Sequence, residues 1–186
     1  MRADVEFVFW DYLIADLKRA RFLHGKTCND VSFLKLASGL FSPRFVPVLL
    51  CRLAYVFYLW RFSPIAKFFS LLNFMLFGIE IALPCHIGRG IYFPHTSGTV
   101  IGAHHIGENV TVFQGVTLGA REMDFQFDKS ARPSVDSEVT IGSGAKILGG
   151  ISIGKGARIG ANAVLLQSVP AGVFVAGVPA KIVKEI

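Results

Sequence analysis

Five histidines and three cysteines are the residues of this 186-residue chain best suited to proton transfer or metal binding. Cys28, Cys51 and Cys85 are odd in number, irregular in spacing and include no CxxC pair. That pattern argues against a disulfide framework and a cysteine zinc site, and it fits a reducing compartment. A zinc site of three convergent imidazoles is the next metal option, but His95, His104 and His105 lack a suitable five-residue-apart pair. A neutral imidazole has another use. Within hydrogen-bond reach of an alcohol, it takes the proton as the oxygen attacks an acyl carbon. A carboxylate on the other ring nitrogen then fixes the tautomer and stabilises the imidazolium.

Such chemistry needs a folded frame, and the composition supplies one. Hydrophobic residues are 52% and charged residues 17%, so a core can form and general disorder is excluded. The net charge of +6 suits phosphates, an anionic ligand or a membrane surface. No nucleic-acid partner is expected. Acidic Asp4 and Glu6 sit where a signal peptide needs a basic start and an apolar run, so a cytoplasmic location is expected.

The chain divides near position 80. Of 17 Phe, 12 lie in 1–80, whereas 16 of 19 Gly follow it. The first part, residues 1–79, reads as helical. Residues 5–23 place Phe7, Phe9, Tyr12, Leu13, Leu17 and Phe22 at helical spacing among charged side chains. Asn29-Asp30 would cap a short helix over 31–40. Residues 44–61 and 64–78 are strongly apolar and separated by Ser63-Pro64. Arg52, Arg61 and Lys67 interrupt them, leaving both short for a membrane span. Two roles stay open for these helices: packing within and between subunits, or a peripheral membrane face.

Residues 80–186 form a repeat. Ile87-Gly88, Ile106-Gly107, Ile141-Gly142, Ile153-Gly154 and Ile159-Gly160 open hexads. Phe93, Val112, Leu118, Val135, Ile147 and Leu165 open others. A six-residue period predicts a β solenoid in which the first aliphatic points inward and stacks on its equivalent one coil away. About four or five turns fit. Thr96 to His105 breaks the count, and the polar stretch 120–133 lacks the hexad. Insertions of that kind leave a repeat as loops, frequently on the binding face.

Four runs resemble serine acetyltransferases: Ile87-Gly88-Arg89-Gly90-Ile91-Tyr92-Phe93-Pro94-His95, Gly98-Thr99-Val100-Ile101-Gly102, Gln114-Gly115-Val116-Thr117-Leu118-Gly119 and Ile141-Gly142-Ser143-Gly144-Ala145-Lys146-Ile147-Leu148-Gly149. Ala176-Gly177-Val178-Pro179-Ala180-Lys181 looks like the closing signature of hexapeptide acyltransferases. The segment Leu76 to Ile81, with its helical lead-in, looks more like the O-acetyltransferases of bacterial capsule and exopolysaccharide pathways, such as the colanic-acid type. The resemblance implies a left-handed parallel β-helix behind an N-terminal helical segment, a homotrimer, and sites between subunits. It also implies acetyl-CoA as acetyl donor. His95 occupies the position of the catalytic histidine, and Glu80, fifteen residues earlier, that of its orienting carboxylate. Glu stands there in place of the usual Asp. For CoA the resemblance implies Gly119, Ser143, Gly144 and Ala161, with Lys146, Arg158 and Lys181 as phosphate partners.

Three departures bear on the acceptor. Pro94 stands where those enzymes carry an Asp before the catalytic histidine, and Ala131 and Arg132 stand for an Arg-His pair. A sugar or polysaccharide-precursor hydroxyl is therefore the first expectation, and serine the alternative. Arg132 could pair with an anionic acceptor or with an acid of its own loop. His104 and His105 are candidate acceptor contacts. Readings of another class are a γ-carbonic-anhydrase-like zinc protein and a non-catalytic assembly protein. If acyl transfer takes place at the inner face of a membrane, the helices are the part that would touch it.

Overall fold

The computed structural model describes residues 8–25, 39 and 42–186. Three α-helices come first: α1 (Phe9–Leu23), α2 (Val46–Leu59) and α3 (Ser63–Phe77). They answer the expected helical segments, except that the short helix expected over 31–40 lies outside the described residues apart from Gly39. Ser63 and Pro64 were expected as a separator and instead form the first turn of α3. Proline suits that place because its missing N–H would have no partner there anyway. Gly78, left-handed at φ 62°, ends α3 and turns the chain into the first strand. No helix of the described residues is long and apolar enough to cross a membrane.

The remainder winds through three sheets, each collecting one strand per coil. Sheet one orders β1 (Ile79–Ile81), β3 (Thr99–Ile101), β6 (Thr117–Gly119), β9 (Lys146–Leu148) and β12 (Val164–Leu165). Sheet two holds β2 (His86–Ile87), β4 (His105–Ile106), β7 (Ser134–Val135) and β10 (Ser152–Ile153). Sheet three holds β5 (Thr111–Val112), β8 (Thr140–Ile141), β11 (Arg158–Ile159) and β13 (Val173–Gly177). All these pairings are parallel. A last strand, β14 (Ala180–Glu185), folds back antiparallel on β13 and covers that end of the sheet.

The hexad explains this architecture. Ile106, Val112, Leu118, Val135, Ile141 and Ile147 are completely buried. Each stacks on the equivalent residue of the next coil, as the register pairs Val112 with Ile141 and Leu118 with Ile147 show. Burying such a side chain contributes about 1.5–3 kcal/mol, so neighbouring coils stabilise one another. The count slips where the sequence suggested. From Phe93 to Ile101, two consecutive inward positions, the chain takes eight steps instead of six. The extra residues fall at the corner that carries His95.

The first coil has no preceding coil to pair with, and the helices supply its partners. Arg52 on α2 donates to the carbonyls of Ile87 and Gly88. Asp16 on α1 accepts from the N–H groups of Gly90 and Ile91. Val48 and Cys51 of α2 join the same hydrophobic core as the coils.

Candidate active site

The corner between sheet three and sheet one forms one continuous edge. Its turns stack coil on coil: Gly98 N–H donates to Gly78 at 2.9 Å, Gly115 N–H to Ser97 at 3.1 Å, Gly144 N–H to Gln114 at 2.8 Å and Asn162 N–H to Ser143 at 2.8 Å. Gly98, Gly115, Gly144 and Asn162 all take the left-handed conformation. Glycine does so without steric cost, and asparagine tolerates it. At Gly144 a Cβ would also strike the Asn162 side-chain oxygen.

Four expected site residues share this edge. His95 lies in the enlarged first turn with its side chain exposed, and Ser143, Gly144 and Ala161 follow along the same column. The peptide on either side of His95 is tied down. Arg44 Nε donates to the Pro94 carbonyl at 3.3 Å, and Thr96 Oγ1 donates to the Phe77 carbonyl at 2.7 Å. Arg44 in turn meets His24 Nε2 at 3.1 Å, which also meets the Tyr92 hydroxyl at 3.1 Å. These tethers have no signature in the hexad pattern and were missed in the sequence.

Glu80 sits in β1 opposite Val100, side chain outward. It brackets the same edge as His95, because Gly78 and Phe77 accept bonds from the His95 turn. Among the described residues no hydrogen bond or ion pair joins Glu80 to His95. Such contacts are often long before substrate binds and tighten in the reacting complex.

The other expected residues lie elsewhere. Arg158 and Lys181 are on sheet three, in β11 and β14, flanking the edge on one side. Lys146 flanks it on sheet one, where its Nζ donates to the Gly115 carbonyl at 2.6 Å and to Thr117 Oγ1 at 3.0 Å. Gly119 ends β6 at the far edge of sheet one and accepts from Gly149 N–H at 2.9 Å.

The loop 120–133 leaves the coil at that far edge. It bounds a cavity of about 800 Å³ lined by Arg121, Glu122, Asp124, Phe125, Gly149 and Ile151 among others. Arg132 fastens the loop. It pairs with the Asp124 carboxylate at 2.8 Å, donates to the Gly102 carbonyl at 3.0 Å and lies 4.1 Å from the Phe127 ring centre. Of the two roles open for Arg132, the structure displays the pairing within its own loop.

His104 and His105 are also remote from His95 in one protomer. His105 lies on sheet two, where its Nδ1 meets His86 Nδ1 at 3.1 Å. Tyr12 and Tyr55 set their rings edge-on against His86. Burial first, and then the neighbouring histidine, pushes the His86 imidazole below its ordinary value. Burial and the charge of His104 do the same to His105, against an opposing pull from Asp136. Among the described residues no three His, Cys, Asp or Glu side chains converge as a metal cage requires.

The chain is similar to known proteins in both sequence and fold. Residues 133–167 match the bacterial transferase hexapeptide (six repeats) family. A serine acetyltransferase of Helicobacter pylori is 41% identical over 142 residues, covering 75% of this chain and 81% of that protein. The chain belongs to the serine acetyltransferase family. The likeness extends to solved structures. The serine acetyltransferase of Neisseria gonorrhoeae superposes with a TM-score of 0.80 at 29% identity, over 95% of this chain and 65% of that one. The Brucella abortus serine acetyltransferase in complex with coenzyme A gives a TM-score of 0.80 at 30% identity, over 95% of this chain and 68% of that one. As a family member the chain has the hexapeptide-repeat transferase fold behind an N-terminal helical region. It is an acetyl-CoA-dependent O-acetyltransferase.

Proposed function

We propose that this chain acetylates the hydroxyl of serine, with His95 as general base. The observation that carries the base assignment is the shared edge of His95, Ser143, Gly144 and Ala161. It gives a thioester lying along the column a basic ring at one end. The serine assignment rests on the relatives, which are serine acetyltransferases.

The chemistry follows from an imidazole and a thioester alone. The acceptor oxygen attacks the acetyl carbonyl carbon as its proton passes to the His95 ring. The tetrahedral oxyanion calls for a donor other than the Gly98, Gly115, Gly144 and Asn162 N–H groups, which the stacked turns already use. It collapses, the C–S bond breaks, and the sulfur of CoA receives the proton from His95. Glu80 orients the ring and balances the imidazolium. Arg158 and Lys181, with Lys146 opposite, supply positive charge beside the column for the phosphates of CoA.

A sugar hydroxyl is the second reading, favoured by Pro94. That residue offers neither a carboxylate nor an N–H for an amino acid's ammonium or carboxylate groups. The open cavity beneath the 120–133 loop has room for a larger acceptor. The resemblance of Leu76 to Ile81 to capsule-pathway enzymes points the same way. A saccharide carried on a lipid would be met at a membrane, and the helices are suited to face one.

Both readings use a homotrimer of left-handed coils. Within one protomer His95 and the loop lie at opposite edges of sheet one, so a neighbour must bring a loop to the His95 edge. Solution mass tests the trimer. Release of CoA from acetyl-CoA, followed with serine, nucleotide sugars and oligosaccharides in parallel, tests the acceptor. Serine is expected to give the highest kcat/KM. Release with saccharides and none with serine would replace the first reading by the second. Release with no acceptor would overturn both.

A further inference from the structure

Helix α3 is built inside out for a helix in water. Its buried residues are small or polar: Ala66, and Asn73, which donates Nδ2 to the Pro47 carbonyl at 2.9 Å. Phe69 stacks on Phe57 of α2 and Phe77 packs against the core, but six large apolar side chains face away. Ile65, Phe68, Leu71, Phe74, Met75 and Leu76 are exposed, Met75 by 70% and Leu76 by 65%. The turn between α2 and α3 adds Trp60, 64% exposed, and Phe62, 56% exposed. A surface helix ordinarily turns its apolar stripe inward. A contiguous apolar patch of this kind marks a docking surface.

Charge selects the occupant. Residues 31–79 carry five basic side chains and no carboxylate. Arg52 is consumed by Asp16 in the interior, whereas Arg61 and Lys67 are exposed beside the apolar stripe. An anionic lipid surface complements that arrangement. The alkyl stem of Lys67 can lie along the apolar layer while its ammonium reaches a phosphate, and the Trp60 ring suits the headgroup level. A second copy related by a two-fold axis through this face would set Arg61 and Lys67 against their own counterparts, with no acid in residues 31–79 to pair them. The helix has 15 residues, about 22 Å at about 1.5 Å per residue. It is too short for a hydrocarbon layer of roughly 30 Å, so it lies in the interface and does not cross.

We propose that α3 and the α2–α3 turn seat this enzyme on an anionic bilayer as an interfacial anchor. The inference stands apart from the identity of the acceptor. Flotation of the full chain tests it, with vesicles of phosphatidylcholine alone or with about one third phosphatidylglycerol. The chain should rise with the anionic vesicles and be released by salt. Phe68→Glu with Met75→Glu should lower the floated fraction about tenfold or more. Arg61→Gln and Lys67→Gln should lower it about fivefold per charge, on anionic vesicles alone. All four substitutions should leave CoA release and solution mass unchanged. A chain that stays down with both vesicle types overturns the proposal. So does a Phe68→Glu, Met75→Glu variant of lower mass than the unaltered protein, which would assign the face to a contact between copies.

Discussion

Asp16 and Arg52 face each other in a two-point ion pair, Nε to Oδ2 at 2.9 Å and Nη2 to Oδ1 at 3.0 Å, sealed from solvent beneath the first coil. The pair does more than neutralise itself. The carboxylate also takes the N–H groups of Gly90 and Ile91 at 2.8 and 3.0 Å, and the guanidinium serves the carbonyls of Ile87 and Gly88. Those backbone groups belong to the open end of a parallel stack, where pairing would otherwise stop. The helices are therefore joined to the coil by the hydrogen bonds that terminate it.

Breaking that pair should be expensive. Asp16→Ala strands a buried guanidinium and two backbone donors, and the expected loss is about 3–5 kcal/mol. Replacing both partners, as Asp16→Leu with Arg52→Met, removes the stranded charge and should cost less than Asp16→Ala alone. Urea denaturation of the three proteins checks the order. Equal midpoints for Asp16→Ala and the parent would show that the pair does not hold the helices.

Acid should loosen the face on which α1 and α2 rest. The His86–His105 contact needs at least one neutral ring, and His86 Nε2 is buried with no hydrogen-bond partner among the described residues. Both imidazoles sit below their ordinary value of 6.5. Just below that pH the unfolded chain therefore binds more protons than the folded one. Stability should rise with pH through this window and fall as pH drops below 6.5. Urea midpoints at about pH 7.5 and about pH 5.5 measure the slope. His105→Asn should flatten it. An unchanged slope in that variant would place the acid sensitivity elsewhere.

Arg132 and Asp124 should act as one unit. If the guanidinium serves to hold the loop, Arg132→Ala and Asp124→Ala should raise the acceptor KM by similar factors, and the double variant should be little worse than either. A direct contact between Arg132 and acceptor gives a different result: Asp124→Ala would then be much the milder change. The acceptor KM of the three variants decides between them.

The coil was legible in the sequence because burial there is periodic outside the His95 corner and the 120–133 loop. The inward position recurs every six residues, and Ile106, Val112, Leu118, Ile141 and Ile147 all proved fully buried. Even the slip in the count at Thr96 to His105 marked the enlarged turn of His95. What the period could not show was which edge each polar residue occupies relative to the others. His104 and His95 are nine positions apart yet belong to different corners, because each corner turns the chain onto a new face. Nor could it reveal Arg44, Asp16 and Arg52 as partners of the first coil. Their contacts span 50, 74 and 36 positions respectively, and nothing local encodes them. Arg132 was ambiguous for a simpler reason: a basic side chain among acids suits a ligand or its own loop equally well until geometry is known.

His95 and Glu80 should separate by their kinetics. Deleting the imidazole in His95→Ala removes the proton acceptor, and kcat should fall by about 10²–10⁴-fold. The fold should persist, because the side chain is exposed and its turn is held through the Pro94 carbonyl and the Thr96 hydroxyl. Glu80→Gln keeps the size of its side chain and loses only the charge that steadies an imidazolium. It should lower kcat by a smaller factor and leave the KM for acetyl-CoA unchanged. Glu80→Asp separates reach from charge. Because no hydrogen bond joins Glu80 to His95 before substrate binds, the shorter carboxylate should fall between the parent and the amide. Steady-state CoA release by the four proteins provides the comparison. A Glu80→Gln enzyme with the parent's kcat would leave His95 without this partner, while a His95→Ala enzyme with the parent's kcat would remove the base itself.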